Sequence, residues 1–184
     1  MEKHLSATKE KMQHSLEALE REFSAIRTGR ATPALLDRLR IDYFGSEMPV
    51  NQIATVSVPE PRQLLISPWD KTVLPAIEKA IFASDLSMTP NSDGSTIRLE
   101  IPALTEERRK ELVKLAHHKA EEAKVAVRNL RREANETLDK REKKEHMPED
   151  EVERGKKEVQ KLTDEFITKV DEVTARKVAE IMEV

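Results

Sequence analysis

Eight of the nine prolines in this 184-residue chain fall between residues 31 and 104. Proline breaks or kinks a helix because it lacks the backbone N–H and its ring clashes with the carbonyl four residues back. The stretch they occupy therefore cannot belong to a long helix. It is also sparsely charged, with 15 charged residues in 74, against 52 in the 110 residues flanking it. Half of the whole chain is Ala, Glu, Lys, Leu or Arg, a composition of long helices when apolar residues recur at helical spacing. A uniform rod is excluded: an ordinary globular segment interrupts a charged helical protein.

The flanks carry three helical patterns. Leu5, Met12, Leu19 and Ile26 are seven apart, with Leu16 and Phe23 between them, so a first long helix with one narrow seam is expected over 5–28. Gly29 stands where a left-handed residue would stop it, and Thr32-Pro33 reads as the start of a short helix through Asp37. A second long helix opens at Thr105, with Glu106 and Glu107 facing the positive end of its dipole. Its apolar line runs Leu112, Ala116, Ala120, Ala123, Val127, Leu130, Ala134, Leu138, and the helix continues to about His146. At a rise of about 1.5 Å per residue this is a rod of roughly 60 Å. Pro148 starts a third helix with the seam Val152, Val159, Leu162, Phe166, Val170, Val173, and Gly155 lies in that seam for close helix approach. Three such helices make a long antiparallel bundle.

In the interruption, Leu39–Tyr43 and Ala54–Val58 alternate as strands, Pro59-Glu60-Pro61 ends the second, and Leu64–Ser67 reads as a buried strand. Val73, Ile77, Ala80 and Ile81 mark one helix over 70–84, and the Pro90–Gly94 turn leads into a strand at Ile97, Leu99 and Ile101. The expected fold class is α+β: a three-helix bundle of 1–30 and 104–184 with a small β/α/β domain, 31–103, inserted. Two links join them, so a hinge is expected at Gly29, Arg30 and Ala31 on one side and Pro102, Ala103 and Leu104 on the other.

The chain has no cysteine, hence no disulfide or thiolate chemistry. No Gly-rich phosphate loop, His-Glu-x-x-His or Gly-x-Ser-x-Gly occurs. His4, His14, His117, His118 and His146 read as solvated helix histidines, and Trp69 as a core or domain-edge anchor. No catalytic residue, metal ligand or cofactor is expected, and the chain is not expected to be an enzyme. Met1-Glu2-Lys3-His4-Leu5 carries no apolar run and no stretch suits a membrane span, so a cytoplasmic protein with no membrane partner is expected.

One feature points to a partner. With Val127 at 0° and about 100° per residue, the apolar residues of the second long helix lie at about 300° to 20°. Arg131, Lys124, Asn135, Arg128 and Arg132 follow at about 40°, 60°, 80°, 100° and 140°. Residues 105–145 sum to +3 within a chain of net −3. Guanidinium forks pair with phosphate oxygens and Asn with sugar or base, so local RNA recognition is one reading. A salt-bridged helix face is the other, because Glu121 and Glu133 are near. Few aromatics, 3% of the chain, disfavour base stacking and leave backbone and shape readout.

Several segments also resemble the bacterial ribosome recycling factor family, in order along the whole length. They are Ile26-Arg27-Thr28-Gly29-Arg30-Ala31, Ala83-Ser84-Asp85-Leu86 with Pro90-Asn91, Leu104-Thr105-Glu106-Glu107-Arg108-Arg109-Lys110, Val125-Ala126-Val127-Arg128-Asn129-Leu130-Arg131-Arg132 and Gln160-Lys161-Leu162-Thr163-Asp164-Glu165-Phe166. Phe44 departs from a usual tyrosine, and Ser87 and Thr89 from the usual glycine and asparagine. The resemblance implies an L-shaped monomer that acts after translation termination. It implies large-subunit ribosomal RNA as the partner of the bundle through Arg128, Arg131 and Arg132. It also implies that elongation factor G, with its GTP hydrolysis, acts on the smaller domain while the ribosome is split and messenger and transfer RNA leave. A coiled-coil adaptor binding protein through its seam is the competing class.

Overall fold

The computed structural model describes residues 2–86 and 88–183. It divides into two compact units, one of Met1–Ile26 with Thr105–Val184 and one of Arg27–Leu104. The first unit is three helices: α1, Glu2–Ala25; α3, Glu106–Glu145; and α4, Glu149–Met182. Each packs on the other two. Lys11 pairs with Glu133 and Lys119 with Glu22 between α1 and α3, while Lys124 pairs with Asp171 and Lys156 with Asp139 between α3 and α4. Rising numbers on one helix meet falling numbers on the next, so both pairs run antiparallel. No helix among the described residues is long and apolar enough to cross a membrane.

The spacing of the buried positions differs from the heptad seam. On α4 they are Val152, Gly155, Val159, Thr163, Phe166, Val170, Thr174, Lys177 and Ile181, steps of 3, 4 and 4 that close every eleven residues. The same order runs through Thr8, Met12, Leu16, Leu19 and Phe23 on α1 and through Leu112, Ala116, Ala120, Ala123, Ala134 and Leu138 on α3. Eleven residues in three turns is close to the natural pitch of an α-helix, whereas a heptad repeat forces a left-handed supercoil. Leu162 and Val173, expected in the α4 seam, are only half-buried, and Thr163 and Thr174 take the packed line. Their hydroxyls donate to Val159 O and Val170 O at 2.8 and 2.7 Å, which satisfies them without a partner helix.

The helix ends are set locally. Thr105 Oγ1 accepts from Arg108 N at 3.2 Å, and α3 stops at His146, held at a left-handed φ of 50°. The first helix ends at Ala25, three residues before the expected Thr28. Lys177 meets that end: buried to 8% exposure and 3.4 Å from Glu180 Oε2, its Nζ donates to Ile26 O at 3.3 Å, placing a cation at the negative end of the helix dipole. Gly29 is left-handed (φ 76°) in the connector, outside α1.

The second unit has two antiparallel sheets and one helix. Strands β1, Arg40–Tyr43, and β2, Ser46–Pro49, form a hairpin. Strands β3, Ala54–Glu60, β4, Gln63–Pro68, β5, Pro90–Ser92, and β6, Ile97–Glu100, pair in the order β3-β4-β6-β5. Pro90–Ser92, expected as a turn, and Pro59, expected to end a strand, are both in the sheet. Both lie on its edge strands, where a missing N–H costs no ladder bond, and β3 is irregular between Ser57 and Glu60. Asp70 caps a short 3₁₀ turn by accepting from Thr72 N at 2.9 Å, and α2 follows at Leu74–Ala83. Ile77 and Ile81 of α2 close a core with Ile41, Leu64, Ile66, Ile97 and Leu99, all at 1% exposure or less. The glycine-to-serine departure at Ser87 lies outside the described residues.

Candidate nucleic-acid interface

The five stripe residues sit at the middle of α3, and α4 decides what each can do. Lys124 is not a free cation: its Nζ is 2.7 Å from Asp171 Oδ1 and 3.4 Å from Glu121 Oε1, with the side chain 17% exposed. The hydrogen bond to Asp171 raises its pKa above the ordinary lysine value, outweighing burial. On the sequence the stripe has no carboxylate of its own; the tertiary fold supplies one.

Arg131 stands eleven residues after buried Ala120, on the packed line itself. The residue is half-buried, and its guanidinium donates from Nη1 to Gln160 Oε1 in an exposed bond of 3.3 Å, while Gln160 Nε2 donates to Asp164 Oδ1 at 2.8 Å. The neutral amide orients Arg131 without cancelling its charge, so its remaining donors can pair with an anion. Arg128, half-buried, and Arg132, exposed, form no ion pair or hydrogen bond among the described residues. Asn135 is half-buried, and its Oδ1 is buried with no donor. The fold thus leaves three guanidinium groups and an amide together on α3, with Lys124 beside them already paired to Asp171. Glu133, feared as a neutraliser, is turned away to Lys11. Gln160, Asp164 and Asp171 were missed by sequence reasoning; their polar side chains give no sign of which helix they will meet.

The two links run side by side. A Cβ on Gly29 would lie 3.3 Å from Leu104 Cγ and 3.6 Å from Pro102 O. Ala31 N donates to Pro61 O and Ile101 N to Arg62 O, each at 2.8 Å, so the β3–β4 turn ties down both strands where they enter the sheet unit. Ala31, expected in the hinge, is thereby bonded to that unit, whereas among the described residues no backbone bond of this kind holds Gly29, Ala103 or Leu104. Arg30 and Pro102 are exposed.

Elsewhere, one expectation is corrected and one narrowed. His4 is not freely solvated: half-buried, its Nε2 lies 3.0 Å from Ala134 O between α1 and α3, and burial lowers its pKa. Of the two places expected for Trp69, the core is excluded: it is 69% exposed, with Nε1 donating to Thr55 Oγ1 at 3.2 Å. No group of three or more metal-ligating side chains occurs among the described residues.

Fold and site together define an α+β protein in which a three-helix bundle bearing an unneutralised arginine cluster carries an inserted β/α unit. The family model described as ribosome recycling factor matches residues 19–182, and the chain belongs to that family. It is 56% identical to the ribosome-recycling factor of Carboxydothermus hydrogenoformans and 54% identical to that of Bacillus subtilis, each over 98% of this chain and 97% of the relative. It is also similar to a solution structure of a ribosome recycling factor, at 42% identity and a TM-score of 0.73 over 100% of this chain and 97% of that one. A further similar structure is one of the models for the T. thermophilus ribosome recycling factor and the E. coli elongation factor G bound to the E. coli post-termination complex. There identity is 48% and the TM-score 0.62, over 99% of this chain and 98% of that one.

Proposed function

We propose that this protein recycles ribosomes: with elongation factor G and GTP it splits the post-termination ribosome and frees messenger and transfer RNA. The observation that carries this is the near-complete alignment with a relative that occupies a post-termination complex beside elongation factor G. The chain itself makes or breaks no bond in this scheme; the nucleotide on the partner supplies the energy. The bundle acts as a lever, because helices packed along their whole length resist bending. It works as a monomer, and the connectors around Gly29 and Pro102–Leu104 are the hinge.

The bundle is anchored on large-subunit ribosomal RNA by Arg128, Arg131 and Arg132, with the Nδ2 of Asn135, whose Oδ1 is buried, left to donate to a sugar or base. Arginine suits this task because its fork matches two phosphate oxygens at once. Lys124 holds α3 to α4 and makes no RNA contact. The inserted unit faces the elongation factor. A polysome-breakdown assay with and without elongation factor G and GTP tests the proposal. Conversion of polysomes to free subunits only with all components present supports it; no change on adding this protein refutes it.

A further inference from the structure

Three of the six aromatic residues in the chain are exposed, and all three, Phe44, Trp69 and Phe82, belong to the inserted unit. Phe44 is the most exposed, at 81%. With Gly45 it forms the two-residue loop of the β1–β2 hairpin, closed by the Tyr43–Ser46 pair. Both loop residues have positive φ, 50° and 85°. That loop favours Asn-Gly or Gly-Gly, because a bulky side chain is strained at positive φ. The turn is held by Asp42 Oδ1, which accepts from Gly45 N at 2.9 Å, and the Phe44 ring meets Tyr43 edge-on at 4.8 Å. Apart from that one ring contact, a solvent-exposed aromatic in a strained position adds little to folding, and strain of this kind collects at contact sites.

The surface behind the tip has a defined chemistry. Asp42 and Glu47 are paired across the hairpin, both exposed, with their like charges opposed. That arrangement weakens a hairpin, and neither carboxylate has an ion-pair partner among the described residues. The next outward pair, Arg40 with Pro49, borders a groove of about 690 Å³ that passes Asp37 and the outer edge of β3 to exposed Trp69. A single strip thus runs from Phe44 to Trp69, apolar rings at its ends, with three carboxylates and one guanidinium along it. Such a strip repels phosphate and complements a cationic protein surface. Exposed aromatic anchors of this type dominate protein contacts when buried.

We infer that this strip is a protein-docking face and that its occupant is a basic protein surface with an apolar pocket, which receives Phe44. This rests on the ribosomal reading above and assigns the inserted unit a contact opposite in charge to that of the bundle. The test places photoreactive p-benzoylphenylalanine at position 44 of the full chain. Purified post-termination ribosomes with elongation factor G and a non-hydrolysable GTP analogue are the probe. An adduct that survives ribonuclease and maps to an apolar residue flanked by Lys or Arg is the expected result. An adduct on RNA overturns the inference, as does labelling no stronger than from the same group at position 82. Failure of the chain to co-sediment with ribosomes at all sinks the ribosomal reading and this inference together.

Phe44→Asn separates docking from folding. Asn suits the left-handed position, so its melting temperature should equal or exceed that of the wild type while recycling falls at least ten-fold at limiting protein. Full activity in Phe44→Asn, or in Asp42→Lys with Glu47→Lys, overturns the docking face.

Discussion

Removing the guanidinium groups of Arg128 and Arg132 should weaken ribosome binding in a way that salt reveals. Neither group has an ion-pair partner among the described residues, so each can neutralise a phosphate and release counterions. Each such contact adds roughly 0.7 to 0.9 to the slope of log affinity against log salt. Between 50 and 200 mM salt, that is about a three-fold loss of affinity per contact, and roughly 20- to 40-fold for three arginines acting together. The double variant Arg128→Ala with Arg132→Ala should therefore lower the slope by about 1.4 to 1.8, with little change in melting temperature. Arg131→Ala should lower the slope by about one contact and also remove the 3.3 Å bond to Gln160, at a cost of about 1 kcal/mol in stability. Lys124→Met is the control. Its charge is already matched by Asp171 at 2.7 Å, so the slope should not move. Filter binding of labelled large subunits across a salt series measures all four proteins. Equal slopes in the wild type and the double variant would refute the electrostatic anchor, and a smaller slope in Lys124→Met would refute its assignment as a brace.

Three further outcomes are expected. Gly29→Ala forces a side chain into a left-handed position with its Cβ 3.3 Å from Leu104 Cγ; the strain costs roughly 1–2 kcal/mol, seen as a lower melting temperature by calorimetry, and an unchanged melt contradicts it. Lys177→Met leaves Ile26 O without its buried donor, costing about 1–3 kcal/mol; urea denaturation with an unchanged midpoint would show that the clamp contributes nothing. Burial lowers the pKa of His4 below its ordinary 6.5, so the unfolded chain binds the proton more readily. Stability from neutral His4 is complete above that value and lost as pH falls through it towards the folded-state pKa. Wild type should lose more stability than His4→Gln between pH 7.5 and 5.5, and parallel curves would exclude the effect.

Much of the architecture was legible because it follows from short-range rules. Proline position separated the inserted unit from the helices, and Thr105, His146 and Pro148 mark helix ends through local hydrogen bonds and dihedral angles. The heptad reading of the seams failed for an identifiable reason: it followed apolar residues alone. Thr163, Thr174 and Lys177 can lie on the buried line because their polar atoms bond to carbonyls, those of the same helix for the threonines and that of Ile26, just past α1, for Lys177, and only the full set shows the eleven-residue period. Pro59 and Pro90 were read as breaks because edge and central strands look alike before strand order is known.

The arginine stripe itself is a property of spacing: Arg128, Arg131 and Arg132 share one side of any helix that contains them. Which of its cations remain available is a different matter. Lys124 is neutralised by Asp171, 47 positions away in sequence, while Arg131 meets the uncharged Gln160. Periodicity acts over one turn and can be read along the chain, whereas ion pairing depends on the register between α3 and α4. Close packing of the whole bundle sets that register, and no local pattern of residues encodes it.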